Sequence, residues 1–491
     1  MGLLLFFICA IALILGYAVY SRIAERVYGV DFKMLMPCKV KADGVDYVEM
    51  PTWKIFLIQL LNIAGLGPVF GALAGCLFGP VALLWIVLGC ILAGALHDFF
   101  AALMSAEKGG SNLPELVQLN LGKGAGYVMR GLCVLLMLLV GVVFTSGPAG
   151  MLHALMSNLS VEGWCVCILL YYFLATVLPI DVIIGRLYPI FGALFIFMAV
   201  GLAVALPFGE HEVLPITDFA ANLHPQNLSV WPMIFVTIAC GAISGFHATQ
   251  SPMMVRCLPD VRRARPVFYG AMVAEGLVAL VWATVGLTLR DTLTDYTMVS
   301  NAAGKLVPQL AESGQNLASF AQLTLSSPAT AVSHACTELL GPIGAALAVL
   351  GVVVLPITSG DTAMRCCRLM LADALRVDQK SWLRRLSIAV PLFACVIIIS
   401  QVDFSIIWRY FGWANQTLAC FTLWSIAVYL RRRKRLHWLV TVPALFMTTV
   451  CTSFLLYAPE CIICLPLQVA TLSGVGVAAL CLVLFLWRAR S

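Results

Sequence analysis

The chain has 491 residues, of which 61% are hydrophobic and only 11% are charged. Because soluble domains carry roughly 25% charged residues, this composition excludes a water-soluble protein and indicates a polytopic membrane protein. The net charge of +6 does not indicate a nucleic-acid partner, because the basic residues fall in alternate loops, where they report membrane orientation.

The apolar segments predict an all-α fold with about thirteen transmembrane helices. These spans are expected at residues 2–20, 54–79, 81–105, 127–149, 162–179, 188–207, 231–254, 266–289, 342–363, 386–401, 404–430, 437–457 and 465–487. Residues 2–20 have no leading Lys or Arg and fit a membrane anchor better than a cleaved signal peptide. Every Lys and Arg except Arg290, Lys305 and Arg409 then lies on one side, which predicts an external N-terminus and a cytosolic C-terminus.

The second span contains Ala64, Gly65, Leu66, Gly67 and Pro68 midway along its apolar run. Glycine destabilises a helix, and proline has no amide hydrogen to donate. Within lipid such a break is tolerated only where it faces protein or a water-filled cavity. The alternatives are a proline kink and close helix packing. We predict that these five residues form an unwound segment that binds a substrate.

A second break is predicted in span seven, over residues 240–247. Two interrupted helices in corresponding halves of a chain are the best sequence indication of a transporter's binding site. The residues predicted to bind substrate here are Gly241, Ser244, Gly245, His247 and Gln250. His247 is the side chain most suited to a substrate carboxylate, and a structural histidine is the alternative.

Spans two to six and seven to eleven form two groups of five, each beginning with a broken helix. This arrangement predicts a single transmembrane domain built as an inverted repeat. Its expected parts are an extra helix and cytosolic segment at 1–53, repeat one at 54–207, repeat two at 231–430, and two C-terminal helices at 431–491.

Polar residues inside the spans are candidates for ion coupling or gating, since an ionisable group there costs roughly 2.5–3.5 kcal/mol on insertion scales. They are His97, Asp98, Glu275, Thr358, Ser359, Asp361 and Thr362. Helix caps and hydrogen bonds between helices are the alternatives for each of them.

Span nine is predicted to continue as a helix through its polar turn, because its apolar part, 343–357, is too short to cross the membrane alone. Thr358, Ser359 and Asp361 lie within that turn. Hydroxyls and a carboxylate suit a small hard cation, which prefers oxygen ligands, or a carboxyl group that takes up a proton. No resident metal and no cofactor are predicted.

The two long external loops, 208–230 and 290–340, are interpreted as solvated connections, with lids as the alternative. Helical pieces are expected around 301–312 and 328–340. Most of the 18 cysteines sit singly in apolar runs and act as small hydrophobes. Cys461 and Cys464 share a short external loop, where a disulfide and two free thiols are both open.

Several motifs of the chain resemble the carbon-starvation protein A (CstA) family. They are Asp43-Gly44-Val45-Asp46-Tyr47-Val48, Ala64-Gly65-Leu66-Gly67-Pro68, Ala93-Gly94-Ala95-Leu96-His97-Asp98, Leu113-Pro114-Glu115, the stretch Ala239-Cys240-Gly241-Ala242-Ile243-Ser244-Gly245-Phe246-His247, and Asn415-Gln416. The resemblance extends over most of the chain. The serines that long members commonly place after the second break are replaced here by Ala248-Thr249-Gln250-Ser251-Pro252.

The resemblance implies an inner-membrane importer of peptides or pyruvate that is induced when carbon is scarce. It also implies the LeuT-type inverted-repeat fold of the amino acid–polyamine–organocation transporters. By this analogy the unwound segments 64–68 and 241–247 line the substrate site. Thr358, Ser359 and Asp361 then lie near a cation site, for example for Na⁺, between spans two and nine.

The predicted function is a secondary active transporter that imports a small carboxylate by alternating access, driven by a proton or sodium gradient. The chain has no His-Glu-x-x-His, Gly-x-Ser-x-Gly or Gly-x-x-x-x-Gly-Lys-Ser/Thr motif, so neither an enzyme nor ATP-driven transport is predicted. The alternatives are a transporter-like nutrient sensor and a channel for small organic anions. Expected partners are the substrate, the coupling ion and membrane lipids; the oligomeric state and any small membrane subunit are left open.

Overall fold

The apolar segments form helices that pack side by side, as the computed structural model shows. It describes residues 2–488 except 45, 157, 179, 210, 215–220, 301–305, 312–315, 380, 403 and 459–462. The helices of the first half are α1 Gly2–Leu15, α2 Ser21–Tyr28, α3 Pro37–Val40, α4 Thr52–Ile63, α5 Ala72–Cys76, α6 Val81–Gly89, α7 Ala95–Glu107, α8 Leu113–Leu121, α9 Lys123–Leu155, α10 Val161–Val177 and α11 Ile180–Ala205.

The second half adds nine helices and a hairpin. They are α12 Val230–Thr237, α13 Gly245–Val255, α14 Gly270–Leu289, the strands β1 Tyr296–Ser300 and β2 Leu306–Leu310, α15 Phe320–Ser326, α16 Pro328–Leu375, α17 Trp382–Ile399, α18 Phe404–Arg432, α19 Trp438–Tyr457 and α20 Leu467–Arg488. Single π-helical turns join α1 to α2 and α6 to α7 and precede α5 and α14; short 3₁₀ turns lie at Leu206–Phe208 and Val261–Arg263.

Nine helices among the described residues are long and apolar enough to cross a membrane, and the bent pair of α4 and α5 adds a tenth. The predicted all-α membrane fold is confirmed, and the helices lie within a few residues of most predicted spans. The first helical unit is longer than predicted, because it continues through Tyr28 before ending at Gly29, whose φ is +73°. The count of about thirteen spans stays a prediction.

Both predicted helix breaks are present. α4 ends at Ile63, and the chain resumes helical geometry at Gly67 with a bend of 54°. α12 ends at Thr237, and extended backbone at Ser244 (φ −142°, ψ 126°) leads into α13.

The helix α16 is the longest element and lies at the centre of the packing. It contacts α9, α10, α11 and α4, while α13 packs against α4, α7 and α18. As predicted from its short apolar part, α16 stays helical through Thr358 and Asp361. The breaks and the polar turn of α16 therefore meet inside the protein.

The helix predicted around residues 301–312 is wrong over the part that the structure describes. Residues 306–310 form β2, which pairs antiparallel with β1, so that Tyr296 lies opposite Leu310. Pro308 cannot donate an amide hydrogen to a helix and is tolerated in an edge strand. The helix predicted around 328–340 is confirmed as the start of α16, which kinks at Gly341 (φ +67°).

Candidate functional site

The two helix breaks lie directly against each other. A Cβ atom on Gly67 would overlap the side chain of Cys240, and one on Gly71 would lie 2.9 Å from the carbonyl oxygen of Thr237. The close approach of the two segments therefore depends on glycine at the first break. The two predicted breaks therefore meet at one place, and their role in substrate binding stays a prediction.

Oxygen atoms from α4 and α16 surround the first break. Leu61 lies in the last turn of α4, where carbonyl oxygens lose their intrahelical partners. Its oxygen lies 3.0 Å from Thr358 Oγ1 and 3.1 Å from Ser359 Oγ. All three residues are fully buried. The contact places Thr358 and Ser359 beside span two, where the resemblance implied a cation site.

Asp361 lies on the same helix and is also fully buried. Its Oδ2 accepts a hydrogen bond of 2.5 Å from the Tyr171 hydroxyl on α10, and its Oδ1 lies 3.3 Å from the Tyr188 hydroxyl on α11. The Tyr188 hydroxyl is also 2.9 Å from Asn62 Oδ1 at the end of α4. Asp361 on α16 is thus bonded to tyrosines of α10 and α11, and Tyr188 links it to the edge of the first break.

Thr362 does not turn toward this group of oxygens. Its hydroxyl donates back to the helix, with the carbonyl oxygens of Thr358 and Ser359 each at 3.1 Å. Such a bond to the preceding turn satisfies the hydroxyl locally. Its predicted part in ion coupling stays a prediction without a supporting contact.

The second break is stabilised by a side chain from α18. Asn415 Oδ1 accepts hydrogen bonds from the Phe246 amide at 2.7 Å and from Ser244 Oγ at 3.0 Å. The first amides of a helix have no backbone partner and need such a cap. The Asn415-Gln416 motif thus contains a residue that completes the break, although only its resemblance to a family drew attention to it.

Four of the predicted polar residues form one buried cluster beside the second break. Asp98 accepts at Oδ1 from His97 Nδ1 (2.8 Å) and at Oδ2 from His247 Nδ1 (3.1 Å). His247 Nε2 lies 3.5 Å from Glu275 Oε2. All four side chains are fully buried. The cluster joins α7, α13 and α14.

Amide side chains of α4 and α13 add hydrogen-bonding groups near the breaks. Gln59 Nε2 on α4 donates to Ser251 Oγ on α13 (3.2 Å), and Gln250 Nε2 donates to Thr249 Oγ1 (2.9 Å). Among the described residues, no protein group pairs with Gln59 Oε1, Gln250 Oε1 or Asn62 Nδ2. Buried polar atoms usually have a partner, so these atoms are suited to a polar ligand.

The remaining predicted substrate residues are buried along the same contact. They are Ala64, Gly65, Leu66, Pro68, Gly241 and Gly245. A Cβ on Gly65 would overlap the ring of Phe144 and lie 3.3 Å from Ser359 Oγ. Their role in substrate binding stays a prediction. The side chain of Arg409 is exposed. Cys461 lies outside the described residues, so the choice between a Cys461–Cys464 disulfide and two free thiols stays open.

Sequence reasoning did not identify Tyr171, Tyr188 or Gln59. The sequence pattern of a tyrosine in an apolar helix is the same whether its ring packs in the core or its hydroxyl bonds a carboxylate. Gln59 carried a usable signal, because an amide in the apolar part of a span is costly without a partner.

Comparison with known proteins supports a transporter fold. The solved structure of a variant of the manganese transporter of Eremococcus coleocola is similar to this one. The alignment covers 92% of this chain and 99% of that transporter, at 15% identity and a TM-score of 0.54. It is similarly related to the nucleobase-cation-symport-1 transporter Mhp1 in a closed conformation, at 15% identity and a TM-score of 0.54, covering 89% and 93% of the two chains. These likenesses show the LeuT-type fold.

Sequence relatives are membrane proteins from several bacteria. An uncharacterised membrane protein of Haemophilus influenzae is 41% identical over 340 residues, which are 59% of this chain and 92% of that protein. The peptide transporter CstA of Escherichia coli is 26% identical, over 89% of this chain and 78% of its own. The family model described as carbon starvation protein CstA matches residues 1–153 and 148–454. The chain therefore belongs to the CstA family and is a multi-pass membrane transporter.

Proposed function

We propose that this transporter imports a small carboxylate nutrient, a peptide or pyruvate, into the cytosol by alternating access. A proton gradient drives the import, and a sodium gradient is the alternative. The proposal assumes a bacterial inner membrane with the N-terminus outside. One observation carries it: a buried carboxylate and two hydroxyls adjoin a helix break that touches a second break.

The substrate would lie beside the contact of the two breaks. The helix that begins at Gly67 carries a partial positive charge at its N-terminus, which favours a substrate carboxylate. The unpaired amide groups of Gln59, Asn62 and Gln250 add both donors and acceptors. Peptides and pyruvate each present a carboxylate and a carbonyl group, so both substrate classes match these partners. Relatives named peptide transporters favour the first class.

The coupling ion would act at the contact of α4 with α16. For a proton, Asp361 is the acceptor, and the Tyr171 and Tyr188 hydroxyls stabilise its ionised form after release. For sodium, the oxygen atoms of Leu61, Thr358 and Ser359 provide the ligands. In both cases the ion would bind beside the first break, so that its binding energy differs between the outward and inward states, as coupling requires.

The experiment is uptake into vesicles that contain the purified protein. Labelled pyruvate, dipeptides and tripeptides are compared while the proton and sodium gradients are set independently. We expect saturable, uphill uptake of one substrate class that needs an inward proton gradient. Uptake that rises linearly with concentration and never exceeds equilibrium would indicate a channel. Uphill uptake with only a sodium gradient would reassign the driving ion.

A further inference from the structure

Three side chains with metal-binding atoms meet where the second break touches α14. Cys240 lies in the break, His247 in the first turn of α13 and Glu275 on α14. One potential ligand atom from each lies within 4.8 Å of the other two, and all three side chains are buried. Neither substrate nor coupling ion, as proposed above, uses this group.

The hydrogen bonds fix which nitrogen of His247 faces the group. Asp98 Oδ2, a carboxylate oxygen, accepts from His247 Nδ1 at 3.1 Å, so that nitrogen carries the hydrogen. Nε2 then presents its lone pair toward Glu275. Asp98 is itself held by His97 Nδ1 at 2.8 Å. A carboxylate that orients a histidine in this way is the usual support of a metal-binding imidazole.

The distance between His247 Nε2 and Glu275 Oε2 is 3.5 Å. Two lone-pair atoms at this distance repel each other unless a proton or a metal ion lies between them. Nitrogen and oxygen ligands bound about 2.0–2.1 Å from a tetrahedral ion are roughly 3.4 Å apart. Among the described residues, Glu275 has no hydrogen-bond partner for either oxygen, and an unpaired charge is costly in such a buried place.

The sulfur of Cys240 has two polar neighbours. Its thiol donates to Ser244 Oγ at 3.7 Å, and Asn415 Nδ2 donates to the sulfur at 3.9 Å. A metal ion that binds here would displace the thiol proton, and the Asn415 amide would remain as a donor to the thiolate. The donor set is therefore one sulfur, one nitrogen and one carboxylate oxygen.

We propose that Cys240, His247 and Glu275 bind one divalent transition-metal ion of the Zn²⁺ class. Sulfur and imidazole ligands select Zn²⁺ over the hard cations Na⁺ and Mg²⁺. Three protein ligands of a tetrahedral ion leave a fourth position for water. The ion ties the second break to α14, and Asp98 orients His247 without touching the ion.

The test uses the purified full chain after treatment with a chelator, titrated with Co²⁺ as a spectroscopic substitute for Zn²⁺. We expect one Co²⁺ per chain, a thiolate-to-cobalt charge-transfer band, visible bands of a tetrahedral ion, and displacement by Zn²⁺. Cys240→Ser removes the charge-transfer band. Asp98→Asn weakens the affinity about 10–100-fold, as loss of an orienting partner does. Cys133→Ser, a change of another buried cysteine, leaves the spectrum unchanged.

A measurement on the unmodified chain keeps the proposal testable if a variant does not fold. Zn²⁺ raises its unfolding temperature with the logarithm of the free Zn²⁺ concentration once the site is filled, and Mg²⁺ does not. Absence of stoichiometric Co²⁺ binding would overturn the proposal. So would a charge-transfer band that persists in Cys240→Ser. Either result would leave a proton, rather than a metal ion, between His247 and Glu275.

Discussion

Both breaks interrupt a helix, but different chemical groups surround them. The first break is enclosed by oxygen atoms from Leu61, Thr358 and Ser359. The second has sulfur, imidazole and carboxylate groups beside it, from Cys240, His247 and Glu275. If both proposals hold, the first break serves a hard ion or a proton and the second a transition-metal ion.

The breaks also differ in which side chains satisfy their backbone groups. At the first break, hydroxyls of α16 bond a carbonyl oxygen at the end of α4. At the second, the Asn415 side chain bonds an amide at the start of α13, and Trp85 and Gln416 donate to the carbonyl oxygens of Ile238 and Phe235. The following variants test this comparison.

The largest effect is expected for Asp361→Asn, which removes the ionisable group beside the first break. Uphill accumulation of substrate should be abolished, while some exchange of labelled for unlabelled substrate remains, because the substrate residues are intact. Vesicle uptake and counterflow measure the two activities. Asp378→Asn, which alters an exposed carboxylate paired with Arg384, should leave both unchanged. Full accumulation by Asp361→Asn would remove this residue from coupling.

A methyl group at Gly67 should separate the two breaks, because it would overlap Cys240. Overpacking costs about 1–3 kcal/mol, so we expect uptake by Gly67→Ala to fall roughly tenfold or more. Gly131→Ala is the matched control, since a Cβ there meets no atom within 4 Å. Equal uptake by the two variants would show that the contact between the breaks is not needed for transport.

The cap of the second break is tested by a pair of substitutions at Asn415. Asn415→Leu leaves the Phe246 amide and Ser244 hydroxyl without their acceptor, at a cost of about 1–3 kcal/mol. We therefore expect a lower unfolding temperature and weaker substrate binding. Asn415→Asp keeps the acceptor and should retain most of the stability. If both variants are equally stable, the amide is satisfied in another way.

The smallest effect is expected for Ser359→Ala under a proton gradient. The change removes one oxygen atom near Leu61 and leaves Asp361 in place. Uptake should therefore change less than about twofold, because the net free-energy contribution of one hydrogen bond is small. The measurement is uptake against Na⁺ concentration at fixed pH. A several-fold increase in the Na⁺ concentration required would move the coupling role from Asp361 to the hydroxyls.

Local sequence predicted the breaks and the helical polar turn because their causes are local. Gly65, Gly67 and Pro68 disfavour a helix wherever they lie, and the short apolar part of span nine requires Thr358 to be helical. The β-hairpin was missed because the polar, alternating residues around Pro308 fit a short helix as well as a strand. Strand pairing with residues 296–300 decided the outcome.

The grouping of side chains could not be predicted in the same way. From sequence alone, Asp98 can be interpreted as a helix cap and His247 as a structural histidine. They are 149 residues apart in the chain. Their meeting depends on how α7 packs against α13. Tyr171 and Tyr188 reach Asp361 only because α10 and α11 both lie along α16.

The course of α16 links the site to α8. Asp373, near its last turn, accepts a hydrogen bond of 2.8 Å from Asn112, the residue that caps α8. Because Thr358 and Asp373 belong to one helix, the shift of α16 that we propose on ion binding would act on that hydrogen bond as well. A reporter dye near α8 would test this, since its signal should then follow the concentration of the coupling ion.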